Sequence, residues 1–410
     1  MIKVALLGFG VVGSGVAEVL TNNQNNIKAH LGEELGIQYI LDLRDFPDSP
    51  FAGKIVHDFE IIRNDPEISV VVEMMGGAHP AYDFTKAALE AGKSVVTSNK
   101  QVVATYGVEL TNLAHKMGVR YLFEASVGGG IPVIRPMMTD YGANSILSID
   151  GILNGTTNYM LTRMKNEGIS RDAVLRDAQA KGYAEKDPTA DVEGIDAARK
   201  IVILAVVAWG KLPNPDAIHT EGISHIDAAD VATAAGMGYS VKLIGHAEKQ
   251  ADGKILAAVA PHLVPASHPL SHIDDVFNGI FIRSDTLGDT MFYGRGAGKL
   301  PTAGAVVSDI LEIARHPADA CKLTFSEAPA SLIAPFEGYT CRHYLTFEAP
   351  DDTDAAVAAI RRAFGNLAEH IHLEPDGRIV LVTSPMAESA LSTPVYNTGL
   401  TPLTHLRILN

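Results

Sequence analysis

An α/β fold in three parts follows from three features of the 410-residue sequence. The apolar run at residues 4–7 leads straight into Gly8-Phe9-Gly10-Val11-Val12-Gly13. Short apolar strands then alternate with helical stretches as far as residue 131, and residues 335–410 read strand, helix, strand, strand, helix, strand. The first two features predict a doubly wound, Rossmann-type domain over 1–131 that binds a dinucleotide; the third predicts a βαββαβ domain over 335–410. Residues 132–301 differ in texture and are expected to form an α+β domain for substrate, catalysis and dimerisation.

The glycine turn is the most specific local signal. Gly8 permits the tight bend, Gly10 lets the backbone approach a pyrophosphate, and Gly13 lets the next helix pack close to the strand. Val16, Ala17, Val19 and Leu20 continue at helical spacing, so the turn has the strand before it and the helix after it that the motif requires. Gly8, Phe9, Gly10, Val12 and Gly13 are therefore the candidate cofactor contacts. A second strand is expected at 37–43, and its end carries a mixed signal. Asp42 suits a ribose hydroxyl, whereas Arg44 suits a 2′-phosphate, which favours NADP(H) over NAD(H) without excluding the latter.

Further strands are expected at 70–74, 94–98 and 120–124, with a helix at 81–91 stopped by Gly92. Past Gly128-Gly129-Gly130 and Pro132 come Asn154-Gly155-Thr156-Thr157-Asn158, a helical stretch from Arg171 and a polar loop at 182–193. Strands at 254–259 and 277–283 follow, and a helix beginning near 302, within 302–325, is expected to return to the first domain. The last part reads as strands at 342–348, 370–374 and 378–382, helices at 353–364 and 386–391, and a final strand near Leu406, with a turn at Asp376-Gly377.

Composition excludes several classes. There are 33 basic and 48 acidic residues, a net charge of −15, which repels a phosphate backbone; no nucleic-acid partner is expected. The longest apolar run, 201–209, is about half of what a membrane span needs, and no leader pattern is evident, so a cytoplasmic protein without membrane contact is expected. The two cysteines, Cys321 and Cys341, form neither a disulfide framework nor a C-x-x-C site.

Three places could carry chemistry. Asp196 and Lys200 lie four apart at the head of the apolar stretch 201–204, where desolvation and a neighbouring carboxylate act on the amine in opposite directions. Such a lysine could protonate an oxygen that gains charge when hydride reaches its carbon, or it could be an ordinary surface ion pair. Glu124, read with an extended segment beyond it, could converge with the carbonyls of Val127, Gly129 and Ile131 on a monovalent cation; a glycine hinge without metal is the alternative. Lys100 follows a strand end and should face the ligand crevice, unless it is a solvated loop lysine.

Taken together these stretches resemble the homoserine dehydrogenase family along nearly the whole chain. The glycine turn, Thr97-Ser98-Asn99-Lys100, the run Glu124 to Pro132, Asn154 to Tyr159, Gly182-Tyr183-Ala184-Glu185-Lys186-Asp187-Pro188, Asp196 to Lys200 and Tyr293 to Gly298 occur in family order. The resemblance implies reversible reduction of L-aspartate 4-semialdehyde to L-homoserine, in the branch toward threonine and methionine. It implies Lys200 as proton donor with Lys100 as partner, Asp196 as a catalytic-site carboxylate, and Glu185, Gly182 and Gly298 at the substrate. It further implies sodium at Glu124, Val127, Gly129 and Ile131. The terminal module is similar to ACT domains that bind an amino-acid effector, although Ala349-Pro350-Asp351 replaces the usual glycine and argues against threonine sensitivity. A homo-oligomer is expected, dimer or tetramer, by default a two-fold dimer through the second domain's sheet. The competing readings are a non-catalytic sensor of NAD(P)H and an amino acid, and a reductase of another small amino-aldehyde.

Overall fold

The computed structural model describes residues 2–316, 319 and 324–409; Cys321 falls outside them. The chain divides into two compact units, one made of Met1–Ile146, Val202–Asp216 and Ser284–Ala328, the other of Leu147–Ile201, Ala217–Arg283 and Pro329–Asn410.

In the first unit six parallel strands run in the order Ile55–Val56, Leu35–Leu41, Ile2–Leu7, Ile68–Glu73, Ser94–Thr97 and Tyr121–Leu122. The direction of winding reverses beside Ile2–Leu7, so the carboxyl ends of Ile2–Leu7 and Ile68–Glu73 form the crevice where such sheets bind ligands. The central strands are buried on both faces, which is why they read as continuous Val/Ile/Leu runs. Helix Lys299–Arg315 lies against helix Val11–Asn22. Its Ala303, Val306, Ile310 and Ile313 share one core with Val4, Val16 and Leu20. Gly15 permits that approach, since a Cβ there would stand 2.8 Å from the Lys299 carbonyl oxygen.

The strand expected at 120–124 is shorter than the sequence suggests. Only Tyr121–Leu122 pairs, and Glu124–Ser126 is a 3₁₀ turn. The extended segment invoked for Glu124 to Ile131 is therefore absent, because the chain turns where Ser126 N–H and Oγ–H both donate to the Phe123 carbonyl.

The second unit is built on one large sheet. Within it the order is Phe277–Ser284, Ile146–Ile152, Tyr239–Lys249, Ile255–Pro265, Pro402–Ile408, Thr340–Glu348, Arg378–Thr383 and Ala368–Leu373. Tyr239–Lys249 pairs antiparallel with Ile255–Pro265 over its full length. No strand was legible at 239–249, because residues on both faces are buried, Lys242 and His246 included, and the alternation that marks a half-exposed strand is missing.

The last four strands, with helices Thr353–Phe364 and Glu388–Thr398, form a βαββαβ arrangement in the spatial order fourth, first, third, second. Both helices cover one face, where Leu345, Phe347, Ile379 and Leu381 are buried. Pro402–Ile408 also pairs in parallel with Ile255–Pro265, which makes the module a continuation of the same sheet.

Candidate active site

In the first unit the glycine turn is built as its sequence requires. Gly8 has φ of 95°, and its N–H donates to the Leu41 carbonyl at 2.8 Å. A Cβ at Gly13 would lie 2.1 Å from the Gly8 carbonyl oxygen, which only glycine tolerates. Gly10 has nothing within 4 Å of the corresponding Cβ position, so the backbone there is open to approach. Phe9 packs edge-on to Phe46, and Val12 borders the same core.

The carboxylate of Asp42 accepts from the Phe9 N–H at 2.8 Å and is gripped by Arg44, Nε to Oδ1 at 3.0 Å and Nη2 to Oδ2 at 3.1 Å. The Arg44 hydrogen bonds hold the Asp42 carboxyl at about 2, below its ordinary range. The two residues that sequence reading set against each other are thus partners, with Asp42 tied to the turn and Arg44 largely exposed.

Lys100 is the first residue of helix Lys100–Met117. The Asn99 side chain caps that helix, accepting from the N–H groups of Gln101 and Val102, while its amide donates to the Gly77 carbonyl at 2.7 Å. Glu73, unnoticed in the sequence, ends strand Ile68–Glu73 fully buried. It accepts from Met75 N–H at 2.7 Å and Thr97 Oγ at 2.6 Å. Burial pushes its carboxyl up to about 7 against the lowering effect of those bonds. Its only sequence signal is an acid inside the run Val70-Val71-Val72-Glu73.

Glu124 is buried, and its carboxylate accepts from the N–H groups of Val133, Ile134 and Arg135 at 2.7, 2.8 and 2.7 Å. It therefore caps the short helix Ile134–Thr139. The Glu124 N–H in turn donates to Asp309, which also binds Arg135, so the returning helix braces the segment. Burial, with the charge of Glu124, lifts the Asp309 carboxyl to about 7. Gly129, at φ of 57°, lies so close to Gly296 that a Cβ would meet its carbonyl oxygen at 2.4 Å. Gly298 caps helix Lys299–Arg315 at φ of 122°.

In the second unit Asp196 and Lys200 occupy the first turns of helix Ile195–Trp209, and both are buried, at 3% and 7% exposure. The surface ion pair is excluded. Lys200 Nζ donates to the Leu153 carbonyl and to Asp196 Oδ2, each at 2.7 Å. Asn154 Nδ2 donates to Asp196 at 3.0 Å and to Asp191 at 2.7 Å, while Asn154 Oδ1 caps helix Gly155–Glu167 at Thr157. One amide thus ties two carboxylates to a strand end and a helix start. Asn154 and Asp191 were not singled out from sequence, although Asn154 opens Asn-Gly-Thr-Thr-Asn and Asp191 belongs to the charged loop.

That loop is anchored where Thr156 Oγ donates to the Tyr183 carbonyl at 2.6 Å. Gly182, at φ of 74°, and Glu185 are both exposed.

Comparison with known proteins decides the family. The family model described as the NAD binding domain of homoserine dehydrogenase matches residues 8–124, and the homoserine dehydrogenase model matches residues 132–311. The chain belongs to the homoserine dehydrogenase family. It is 41% identical over 378 residues to the homoserine dehydrogenase of Synechocystis sp., covering 89% of this chain and 87% of the relative. With the Pseudomonas aeruginosa enzyme it shares 38% identity over 410 residues, covering 96% and 94%. A homoserine dehydrogenase structure from Thiobacillus denitrificans superimposes with a TM-score of 0.91 at 33% identity, covering 100% of this chain and 98% of that one. A hyperthermophilic archaeal homoserine dehydrogenase in complex with NADPH matches 76% of this chain and 97% of its own at a TM-score of 0.65 and 29% identity. The chain is an NAD(P)-dependent oxidoreductase of this family, and a non-catalytic sensor is not favoured. No described helix is long and apolar enough to cross a membrane.

Proposed function

We propose that Lys200 is the proton donor in the reduction of L-aspartate 4-semialdehyde to L-homoserine, and that the Asp196–Asn154–Asp191 cluster holds it for that task. The observation that carries this reading is a buried ammonium held by one carboxylate and one backbone carbonyl. A charge so held is oriented before substrate arrives, and it can stabilise and then protonate an aldehyde oxygen as hydride reaches the carbon. NADPH supplies that hydride. Gly8, Phe9, Gly10, Val12 and Gly13 would hold the dinucleotide, and Arg44 would supply positive charge to a 2′-phosphate, which favours NADPH over NADH. Lys100 assists at the reacting end. Glu185 and Gly182 bind the amino-acid part of the substrate, and Gly298 gives the backbone approach needed near it.

The carbonyls of Val127, Gly129 and Ile131, which receive no hydrogen bond among the described residues, fit a hard monovalent cation such as Na⁺ together with Glu124. There it would lend rigidity to the turn rather than chemistry. We assign 1–131 with the helix at about 302–325, 132–301 and 335–410 as the functional domains. The last is an ACT-like module for an amino-acid effector, and the enzyme is a cytoplasmic dimer or tetramer.

The deciding experiment mixes purified protein with L-homoserine and NADP⁺ at alkaline pH and follows absorbance of the reduced cofactor. A flat trace from folded, cofactor-bound protein defeats the reading. The same assay with NAD⁺, and with threonine added, ranks the cofactors and tests the module.

A further inference from the structure

Glu73 is a fully buried acid in the centre of the first sheet for which the proposed chemistry has no use. Its two oxygens face two different loops. Oε1 takes the N–H of Met75 at 2.7 Å, in the loop after its own strand, and Oε2 takes the hydroxyl of Thr97 at 2.6 Å, at the end of the neighbouring strand. The Thr97 oxygen then accepts the Asn99 N–H at 2.9 Å, and Asn99 caps the helix whose first residue is Lys100. Asn99 Nδ2 also reaches the Gly77 carbonyl at 2.7 Å, which closes the circuit between the two loops. On the other side the Met75 loop abuts the glycine turn, since a Cβ on Gly8 would lie 3.1 Å from the Met74 carbonyl oxygen.

A carboxylate buried without a cationic partner is costly, and a fold that only needed packing would place an apolar residue there. What an acid does that an apolar residue cannot is accept two directed bonds at once. We infer that Glu73 is a positioning residue that, through Thr97 and Asn99, sets the start of the helix bearing Lys100 relative to the glycine turn. The inference rests on the role proposed for Lys100.

Its test uses the full-length enzyme with Glu73→Gln, which keeps shape and removes one acceptor, and Thr97→Val, which removes the relay and its bond to Glu73 while leaving the acid itself in place. For each variant kcat, the KM of both substrates, the NADPH dissociation constant by fluorescence and the thermal midpoint are measured, with Lys100→Ala beside them. The expected result is a fall in kcat of about tenfold in both variants, because small misplacements of a reacting group are expensive. NADPH affinity should stay within about twofold and the midpoint within a few degrees. An unchanged kcat in both variants overturns the inference, and so does a loss confined to NADPH affinity, which would tie Glu73 to the glycine turn alone. If Lys100→Ala itself keeps the parent kcat, the role of Lys100 fails first; if it loses activity while the other two do not, only the role of Glu73 fails.

Discussion

The glycine turn of the first unit and the Lys200 cluster of the second solve opposite problems with opposite materials. The turn is backbone, and its residues matter for what they lack. Gly13 has a carbonyl where a Cβ would be, and Gly10 leaves room for an anion. The cluster is side chains, and its residues matter for what they hold, with Asn154 bonded to both Asp191 and Asp196, and Asp196 to Lys200. A site made of absences tolerates change around it but not at it. A site made of buried polar groups is sensitive to the loss of any member, since each removal leaves another group unsatisfied.

The widest separation between the two should come from Lys200→Ala. Turnover should fall by roughly 10³-fold, the range expected for losing a positioned general acid, with NADPH affinity nearly intact. Steady-state kinetics with a fluorescence titration checks both halves, and retention of the parent kcat removes Lys200 from the mechanism. Within the glycine turn, Gly13→Ala should cost folding and cofactor binding together because of the 2.1 Å clash. Gly10→Ala should leave the thermal midpoint unchanged while weakening NADPH by about tenfold or more. Equal midpoint losses would show that Gly10 is structural rather than a contact.

Asn154→Ala should destabilise the protein by about 1–3 kcal/mol and lower kcat, because the buried carboxylate of Asp196 and the partly buried one of Asp191 lose their shared donor. Denaturant midpoints with kinetics report it. The smallest effect is one of pH. In the second unit His246 donates to Asp150 at 2.7 Å. Burial alone would lower its pKa, but the charge of Asp150 raises it to about 9. A raised folded pKa stabilises fully below the unfolded value of about 6.5 and less as pH climbs through 9. Thermal midpoints should therefore drop between neutral pH and pH 10, and Asp150→Asn should flatten that slope.

The difference in material also explains how far the sequence could be read. Gly8, Gly10 and Gly13 are contiguous and flanked by a strand and a helix, so a local pattern contains the whole turn. Leu153 and Asn154 are far in the chain from Lys200 and Asp196, and they meet only because a strand end and a helix start converge. Their pairing has no local signature. Glu73 hides for a related reason, since an acid after three valines looks like a strand end until its partners at Thr97 and Met75 are seen. Strand Tyr239–Lys249 escaped because it is buried on both faces. The extended backbone expected from Glu124 to Ile131 was misjudged for another reason: three glycines permit many shapes, and composition could not choose the 3₁₀ turn at Glu124–Ser126.

From the residues alone came the α/β class, the dinucleotide turn, the terminal βαββαβ pattern and the family, all of them properties written in short contiguous stretches or in their order. Burial and partnership came only with the folded chain. It made the Asp196–Lys200 pair internal, put Glu185 at the surface, joined Asp42 to Arg44 and gave Glu124 three backbone donors. Those outcomes depend on which distant segments exclude water from a charge, and desolvation is a property of the assembled structure rather than of any residue in it.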